Sequence, residues 1–345
     1  MQYIMLLWPH ANARYQSQAL KLAQAELQLM LACRAPEARI IPCEELDMPA
    51  LTLDFPAVPP PGDIDALRRQ SLMYGLFERR GEGLLAPVAG RYPAKLGGDL
   101  PAILKYKGKT NEMFLQLLIN VALYSGDFWR RENEPLALLD PMCGRATGLF
   151  VAANMGWDAT GADVDRADLK EAERFFKRYL EYHRFKHALV RESRTLKGGR
   201  SAAVCRFEYA ADPLDFKAGR TRALSLVNLD AAQAESALGG NRFHVIACDL
   251  PYGVRHQTQL SGDADGRGNW LETMLIRALP IWKAALKPGG AIAVSFNAQN
   301  FRLQRLRELM EGAGLEVLYG GPYEGFSHWV EQAITRDIAV CRKPL

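Results

Sequence analysis

The tetrapeptide Asp249-Leu250-Pro251-Tyr252 combines an acid, a backbone carbonyl held by a following proline, and an aromatic ring. That set makes a compact receptor for a planar amine. Asp249 can accept a hydrogen bond from an NH2 group and the carbonyl of Leu250 a second, which aims the nitrogen lone pair. An aryl amine is a poor nucleophile, so positioning must supply much of any rate. A carboxylate beside it stabilises positive charge as it develops. Tyr252 offers a face on which a base can stack, worth about 1–3 kcal/mol in single-stranded systems. Further acids stand at Asp140, Asp163 and Asp230, each where a buried strand is expected to end. Asp140 opens the turn Asp140-Pro141-Met142-Cys143-Gly144, in which a small residue lets the backbone approach a ligand. Asp163 is suited to accept hydrogen bonds from a ribose diol, and Asp230-Ala231 supplies a third acid at the same edge. Taken singly, each is equally an N-cap or a packing turn. Acids closing successive strands point to a ligand edge. A dinucleotide enzyme would share them but carry a full G-x-G-x-x-G, and here Ala146 stands in the second glycine's place.

Such an edge needs parallel strands. Apolar runs predict strands at Leu136–Leu139, Trp157–Ala162, Ala223–Leu229, Phe243–Cys248 and Ala291–Phe296. Helices are predicted over Thr110–Tyr124, Ala146–Met155, Ala167–Phe185, Leu271–Leu286 and Gln304–Glu311, with Thr110 as an N-cap and Lys287-Pro288-Gly289-Gly290 as a turn. Strands at Leu315–Leu318 and Ile334–Cys341 close the chain. Alternation of this kind gives a doubly wound α/β sheet. Ahead of it, a strand at Tyr3–Trp8, a helix at Ala19–Met30, a helix at Asp63–Met73 and a hairpin over Tyr74–Arg91 suggest a small α+β domain. Pro49, Pro56, Pro59, Pro60 and Pro61 mark a linker near 47–62. The expected division is an N-terminal region over 1–100 and a catalytic domain over 101–345.

The chain has 345 residues, a formal net charge of +4 and six cysteines. No two cysteines form C-x-x-C, so no zinc site is expected, and scattered thiols fit a reducing, cytoplasmic setting. Met1–Trp8 lacks the basic start of a signal peptide. No apolar run approaches the roughly 20 residues of a membrane span, so no membrane partner is expected. The mild charge permits a nucleic-acid partner without requiring one. An insertion near 186–222 concentrates basic residues, among them Arg191, Arg194, Lys197, Arg200 and Arg206, with Phe185, Phe207, Tyr209 and Phe216 interleaved. Cations neutralise phosphates and rings stack on bases, so it reads as an RNA-contacting arm with Arg194, Lys197 and Arg200 on the substrate. Arg255 and His256, just past the amine receptor, are further candidates for substrate contact.

Asp140-Pro141-Met142-Cys143-Gly144 resembles the D-P-x-C-G motif of class I amino-methyltransferases, and Asp249-Leu250-Pro251-Tyr252 their acid-P-P-aromatic motif. With Gly253-Val254-Arg255 the second motif is similar to D-P-P-Y-G-x-R of the THUMP-associated RNA guanine-N2 methyltransferases that act on tRNA. Lys107-Gly108-Lys109-Thr110-Asn111 resembles their G-x-T-N segment, and Thr335-Arg336-Asp337-Ile338 the T-R-x-I of their last strand. The resemblance implies a Rossmann-like seven-stranded methyltransferase sheet with an antiparallel last strand, and S-adenosyl-L-methionine as methyl donor. It implies guanine N2 in RNA as the target, tRNA before rRNA, with room for an accessory protein partner. Carried over by residue, Thr110 and Asn111 lie beside the cofactor, Asp140 and Gly144 at its methionine end, Asp163 at the ribose and Asp230 at the adenine amine, with Cys143 and Ala231 as further cofactor-binding residues. Asp249, Leu250, Pro251 and Tyr252 hold the base. Three features depart from the family: Leu250 stands for a proline, Ala146 for a glycine, and the stretch before Pro101 is short for a THUMP domain with its preceding module. That stretch is expected to be a reduced or atypical RNA-binding module. Three other functions stay open: a DNA adenine-N6 or cytosine-N4 methyltransferase, a methyltransferase of protein glutamine amides, and a cofactor-binding RNA-interaction protein without activity.

Overall fold

A computed structural model describes residues 1–9, 13–45, 47–81, 83–196, 199, 201–232, 238–251 and 267–345. The chain divides into two units: Met1–Pro93 with Tyr319–Ile338, and Ala94–Leu318 with Ala339–Leu345. The sequence division put Tyr319–Ile338 in the second unit. The structure groups it with the first, where Lys21 of the N-terminal helix donates to the carbonyl of Ser327 at 2.9 Å.

In the first unit, β1 (Gln2–Leu7) precedes α1 (Ala13–Arg34), followed by β2 (Arg39–Glu45), β3 (Met48–Asp54), α2 (Pro61–Arg68), β4 (Met73–Arg79) and β5 (Leu85–Gly90). The strands pair antiparallel in the order β2-β3-β1-β4-β5. Ile4, Met5, Leu51 and Leu53 are fully buried on the inner strands. The expectation of a linker near 47–62 is therefore corrected, because β3 lies inside it. Pro49 sits at the strand's start and the other prolines follow its end, so none interrupts the run Ala50–Leu53. Buried Glu26 of α1 accepts hydrogen bonds from the Ser71 backbone N–H at 3.1 Å and hydroxyl at 2.5 Å, tying the helix to the segment entering β4.

In the second unit, α3 (Leu100–Ile103) and α4 (Glu112–Ser125) lead into β6 (Ala137–Asp140), α5 (Thr147–Asn154), β7 (Asp158–Asp163) and α6 (Arg166–Tyr182). Next come β8 (Lys186–Thr195), β9 (Ser201–Ala210), α7 (Pro213–Lys217), β10 (Arg222–Asn228) and β11 (Phe243–Asp249). Then follow α8 (Arg267–Ala285), β12 (Leu286–Asn297), α9 (Leu303–Gly312) and β13 (Glu316–Leu318); β14 (His328–Glu331) belongs to the first unit, and β15 (Ile334–Arg342) runs from the first unit into the second. The second half of β15 pairs antiparallel with β13, and its first half, in the other unit, pairs with β14.

The second sheet runs β13-β15-β12-β11-β6-β7-β10-β9-β8, and the strands of the run β10-β7-β6-β11-β12 are parallel to one another. Numbered by appearance, the seven strands from β10 to β13 read 3-2-1-4-5-7-6. Strand order thus reverses between β6 and β11. Right-handed crossovers laid down in opposite directions from that point put helices on opposite faces, which is the doubly wound α/β class. The seven expected strands are all present, and β8 and β9 add an antiparallel hairpin to the β10 edge. The insertion, read from sequence as an RNA-contacting arm, is thus paired into the sheet edge, and part of it packs in the core. Phe207 and Tyr209 are buried edge-on against Phe176 of α6, so those two rings serve the core and cannot stack on bases. Lys287–Gly290 is likewise no separate turn. It forms an irregularity within β12, where the register to β11 jumps between Phe243↔Leu286 and Val245↔Ala291. Among the described residues, no helix is long and apolar enough to cross a membrane and no cluster of ligating side chains could hold a metal.

Candidate active site

In open α/β sheets, ligands bind outside the carboxyl ends of the strands where strand order reverses. Here that crevice is flanked by Asp140, the last residue of β6, and Asp249, the last of β11. Asp163 ends β7 on the other side of β6. Neighbouring strands lie about 4.8 Å apart, so these acids share one edge.

The turn after β6 is shaped by two left-handed residues, Gly144 at φ +49° and Ala146 at φ +66°. Between them they turn the backbone so that the Gly144 N–H donates to Asp163 Oδ2 at 2.7 Å. The Cys143 N–H donates to the carbonyl of Ala162 at 2.9 Å, fastening the turn to β7. Gly161 makes this approach possible: a Cβ there would lie 2.6 Å from Cys143 Sγ and 2.6 Å from Leu149. Cys143 is thus a packing residue beneath the turn, and burial raises its thiol pKa well above the ordinary value. Asp163 Oδ1 accepts from the Asp165 N–H at 2.8 Å, so both its oxygens are held by backbone donors.

Asp140 differs. Its Oδ1 accepts from the Met142 N–H at 3.1 Å, but no cation lies within ion-pair distance among the described residues. Burial raises its pKa to about 8; the Met142 bond opposes this, and the nearby charges of Asp249 and Asp163 add to it. At neutral pH this carboxyl holds a proton, and it would ionise beside a cationic ligand.

Asp249 is held from another element. The Thr110 hydroxyl donates to Asp249 Oδ2 at 2.6 Å. Thr110 is not the cap of α4, as expected from sequence. Asn111 takes that place, its Oδ1 accepting from the N–H groups of Met113 at 2.8 Å and Phe114 at 3.4 Å. The cap fixes the start of α4, which leaves the preceding threonine turned toward β11. After Asp249, the buried Leu250 donates its N–H to the carbonyl of Ser295 at 2.9 Å, extending the ladder to β12, and Pro251 follows half-buried. Beyond β10, Asp230 Oδ1 accepts from the Ala232 N–H at 2.8 Å and Ala231 is buried.

Sequence reasoning missed Arg145 in the turn and Tyr106, which packs against it. Arg145 lies over the ring of Tyr106 at 4.7 Å and binds Asp168 at 2.8 Å and Glu171 at 2.6 Å, while the Tyr106 hydroxyl is 3.3 Å from Thr147 Oγ1. An arginine between turn glycines and an aromatic just ahead of Lys107 were visible in the sequence, but neither belonged to a motif. Of the substrate candidates, Arg194 binds Glu192 on its own strand at 2.9 Å. Tyr252, Arg255, His256, Lys197 and Arg200 lie outside the described residues.

No family model and no curated protein matches the chain. Solved structures do. TrmN from Thermus thermophilus is 12% identical, with 99% of this chain and 100% of that one covered and a TM-score of 0.44. Magnesium protoporphyrin IX methyltransferase from Synechocystis PCC 6803, crystallised with bound SAM, is 12% identical over 71% of this chain and 90% of that one, with a TM-score of 0.41. The rRNA methyltransferase aviRa from Streptomyces viridochromogenes is 16% identical over 71% and 90%, with a TM-score of 0.39. The α/β class of the chain stands on its own strand order.

Proposed function

We propose that the chain is an S-adenosyl-L-methionine-dependent methyltransferase acting on an exocyclic amine, guanine N2 in RNA, with tRNA before rRNA. The observation that carries this reading is the pair of acids flanking the switch point, one kept protonated by burial and the other oriented by Thr110. The donor set suits the cofactor. Asp140 is a buried carboxyl without a counter-cation among the described residues, and S-adenosylmethionine brings positive charge at its sulfonium and ammonium groups. In this reading Asp140 and the Gly144 turn hold the methionine end, Asp163 the ribose diol and Asp230 the adenine amine. Cys143 supports the turn. The cofactor, when bound, supplies the methyl group.

The chain's own residues do the rest. The Thr110 bond to Oδ2 orients Asp249, and in this reading its carboxylate is the acceptor for an amine N–H. The Leu250 carbonyl is the second acceptor, and its position at the end of the β11–β12 ladder keeps it rigid. Leucine in place of proline is compatible with this role, because the acceptor is backbone. As the amine becomes cationic, the Asp249 carboxylate stabilises it electrostatically.

The test is nucleoside analysis. Purified protein with labelled S-adenosylmethionine and total RNA is expected to yield N2-methylguanosine, and Asp249→Ala to abolish the label while cofactor binding persists. Label in DNA adenine or cytosine, or in protein, would overturn the RNA guanine assignment and keep the cofactor. Binding without label anywhere would favour the inactive RNA-interaction reading.

A further inference from the structure

Helix α6 carries a line of cations. Arg166, Lys170, Arg174 and Arg178 follow one another at i, i+4 spacing and are all exposed, and Tyr182, next on the line, is 83% exposed. Residues four apart share a helix face, so the line forms a ridge. At 1.5 Å of rise per residue it runs about 18 Å from Arg166 to Arg178. The acids of the same helix are all engaged. Asp168 and Glu171 bind Arg145 at 2.8 and 2.6 Å, Glu173 binds Arg191 at 2.5 Å, and Glu181 reaches Lys177 at 3.5 Å. Among the described residues, no carboxylate lies within ion-pair distance of any of the four ridge cations.

Local physics does not favour this arrangement. Like charges four apart oppose helix formation, and Arg166 at the first helical position also opposes the helix dipole. The insertion avoids such repulsion: Arg191, Arg194, Arg206 and Arg220 each bind a carboxylate.

We propose that this ridge is a docking track for the sugar-phosphate backbone of RNA, with Tyr182 at its end stacking on an unpaired base. His183, edge-on to Tyr182 at 5.0 Å, supports that ring. A row of cations neutralises phosphates and releases their counterions without reading sequence, whereas an exposed ring at its end suits single-stranded bases. A membrane surface fits less well, because the line interleaves no apolar residue among its cations. The choice of RNA among polyanions rests on the function proposed above.

The test is binding of the full chain to a fluorescein-labelled RNA stem-loop with a single-stranded 3′ tail, across a salt series. In the variant Arg166→Gln, Lys170→Gln, Arg174→Gln, Arg178→Gln, the slope of log affinity against log salt should fall by about two or more, at roughly 0.7–0.9 per phosphate contact. The charge-conserving variant Arg166→Lys, Arg174→Lys, Arg178→Lys should keep the wild-type slope. A control removes the same charge from paired sites by Arg131→Gln, Arg220→Gln, Arg305→Gln and Arg342→Gln, each now bound to a carboxylate, and should fall by less than about one. Tyr182→Ala should weaken tail binding by about fivefold or more with the slope unchanged. The glutamine variant should melt no lower than wild type, since repulsion is relieved. A smaller fall in its slope, an equal fall in the control, or tighter binding to phosphatidylglycerol vesicles than to RNA overturns the ridge. Wild-type protein that binds S-adenosylmethionine but no RNA overturns the RNA reading itself, and the ridge with it.

Discussion

The two sides of the switch point hold their carboxyl groups by different means. On the β7 side, each oxygen of Asp163 accepts from a main-chain N–H, one in the turn and one at its own strand end, at 2.7 and 2.8 Å. That geometry is made by main-chain groups of the turn and the strand end. On the β11 side, Asp249 accepts a side-chain hydrogen bond from the hydroxyl of a residue 139 positions earlier, Thr110. Backbone donors suit a group that binds a fixed ligand. A side-chain donor on a separate segment suits a group whose aim must be set for a substrate, and it can be removed without disturbing the sheet.

Thr110→Val breaks this comparison most sharply. A hydrogen bond to a charged acceptor contributes about 1.5–3 kcal/mol, so turnover on the RNA identified by nucleoside analysis should fall by roughly ten- to a hundredfold. The loss is expected in kcat, with cofactor affinity changed less than about twofold, because an aiming residue acts at the amine. Thr110→Ser keeps the hydroxyl and should restore most of the rate. A variant that loses cofactor affinity in step with turnover would put Thr110 on the cofactor side, as the sequence resemblance implied.

Asp140 sharpens the comparison through pH. Its pKa is raised to about 8, against an ordinary carboxyl near 4. A cationic ligand binds the ionised form. Below about pH 8 binding must therefore expel a proton, and affinity for S-adenosylmethionine should rise with pH, by at most about tenfold per unit, then level off. Calorimetry in buffers of different ionisation enthalpy should register proton release at pH 7. The sign for stability is opposite. Between about pH 4 and 8 the folded protein holds a proton that the unfolded chain has lost, so this group's contribution weakens as pH rises through that window. Asp140→Asn should flatten both dependences. A wild-type affinity that does not vary from pH 6 to 8 would mean that Asp140 does not face the cationic ligand.

Much of this architecture was legible in the sequence because the parallel strands are buried on both faces and read as unbroken apolar runs, such as Phe243–Cys248. The acids at their ends were legible for the same reason. Strands β2 and β3 were not. β2 is an exposed edge strand with Pro42 inside it, so it shows no alternation, and the prolines around β3 masked a central strand. In the insertion, composition was visible and burial was not: Phe207 and Tyr209 look like any exposed aromatics until β9 is paired with β10. The α6 ridge was present as spacing, but its meaning depends on Arg145 and Arg191 reaching over from other elements to occupy the helix's acids. Contacts of that kind, like Thr110 with Asp249, belong to the tertiary structure and leave no local signal.

Ala146 offers the smallest test and bears on the backbone side of the comparison. It is buried and holds φ at +66°, a conformation that costs a side-chain-bearing residue about 1–2 kcal/mol. Glycine would remove that cost but would lose more entropy on folding, by about 0.5–1 kcal/mol. Ala146→Gly should therefore be neutral to stabilising, by at most about 1.5 kcal/mol in urea unfolding. The turn it closes should keep its shape, because the Gly144 and Cys143 N–H bonds to β7 remain. Cofactor affinity should accordingly change less than about twofold. A marked loss of affinity with stability unchanged would show that the alanine side chain, rather than the backbone alone, shapes this side of the crevice.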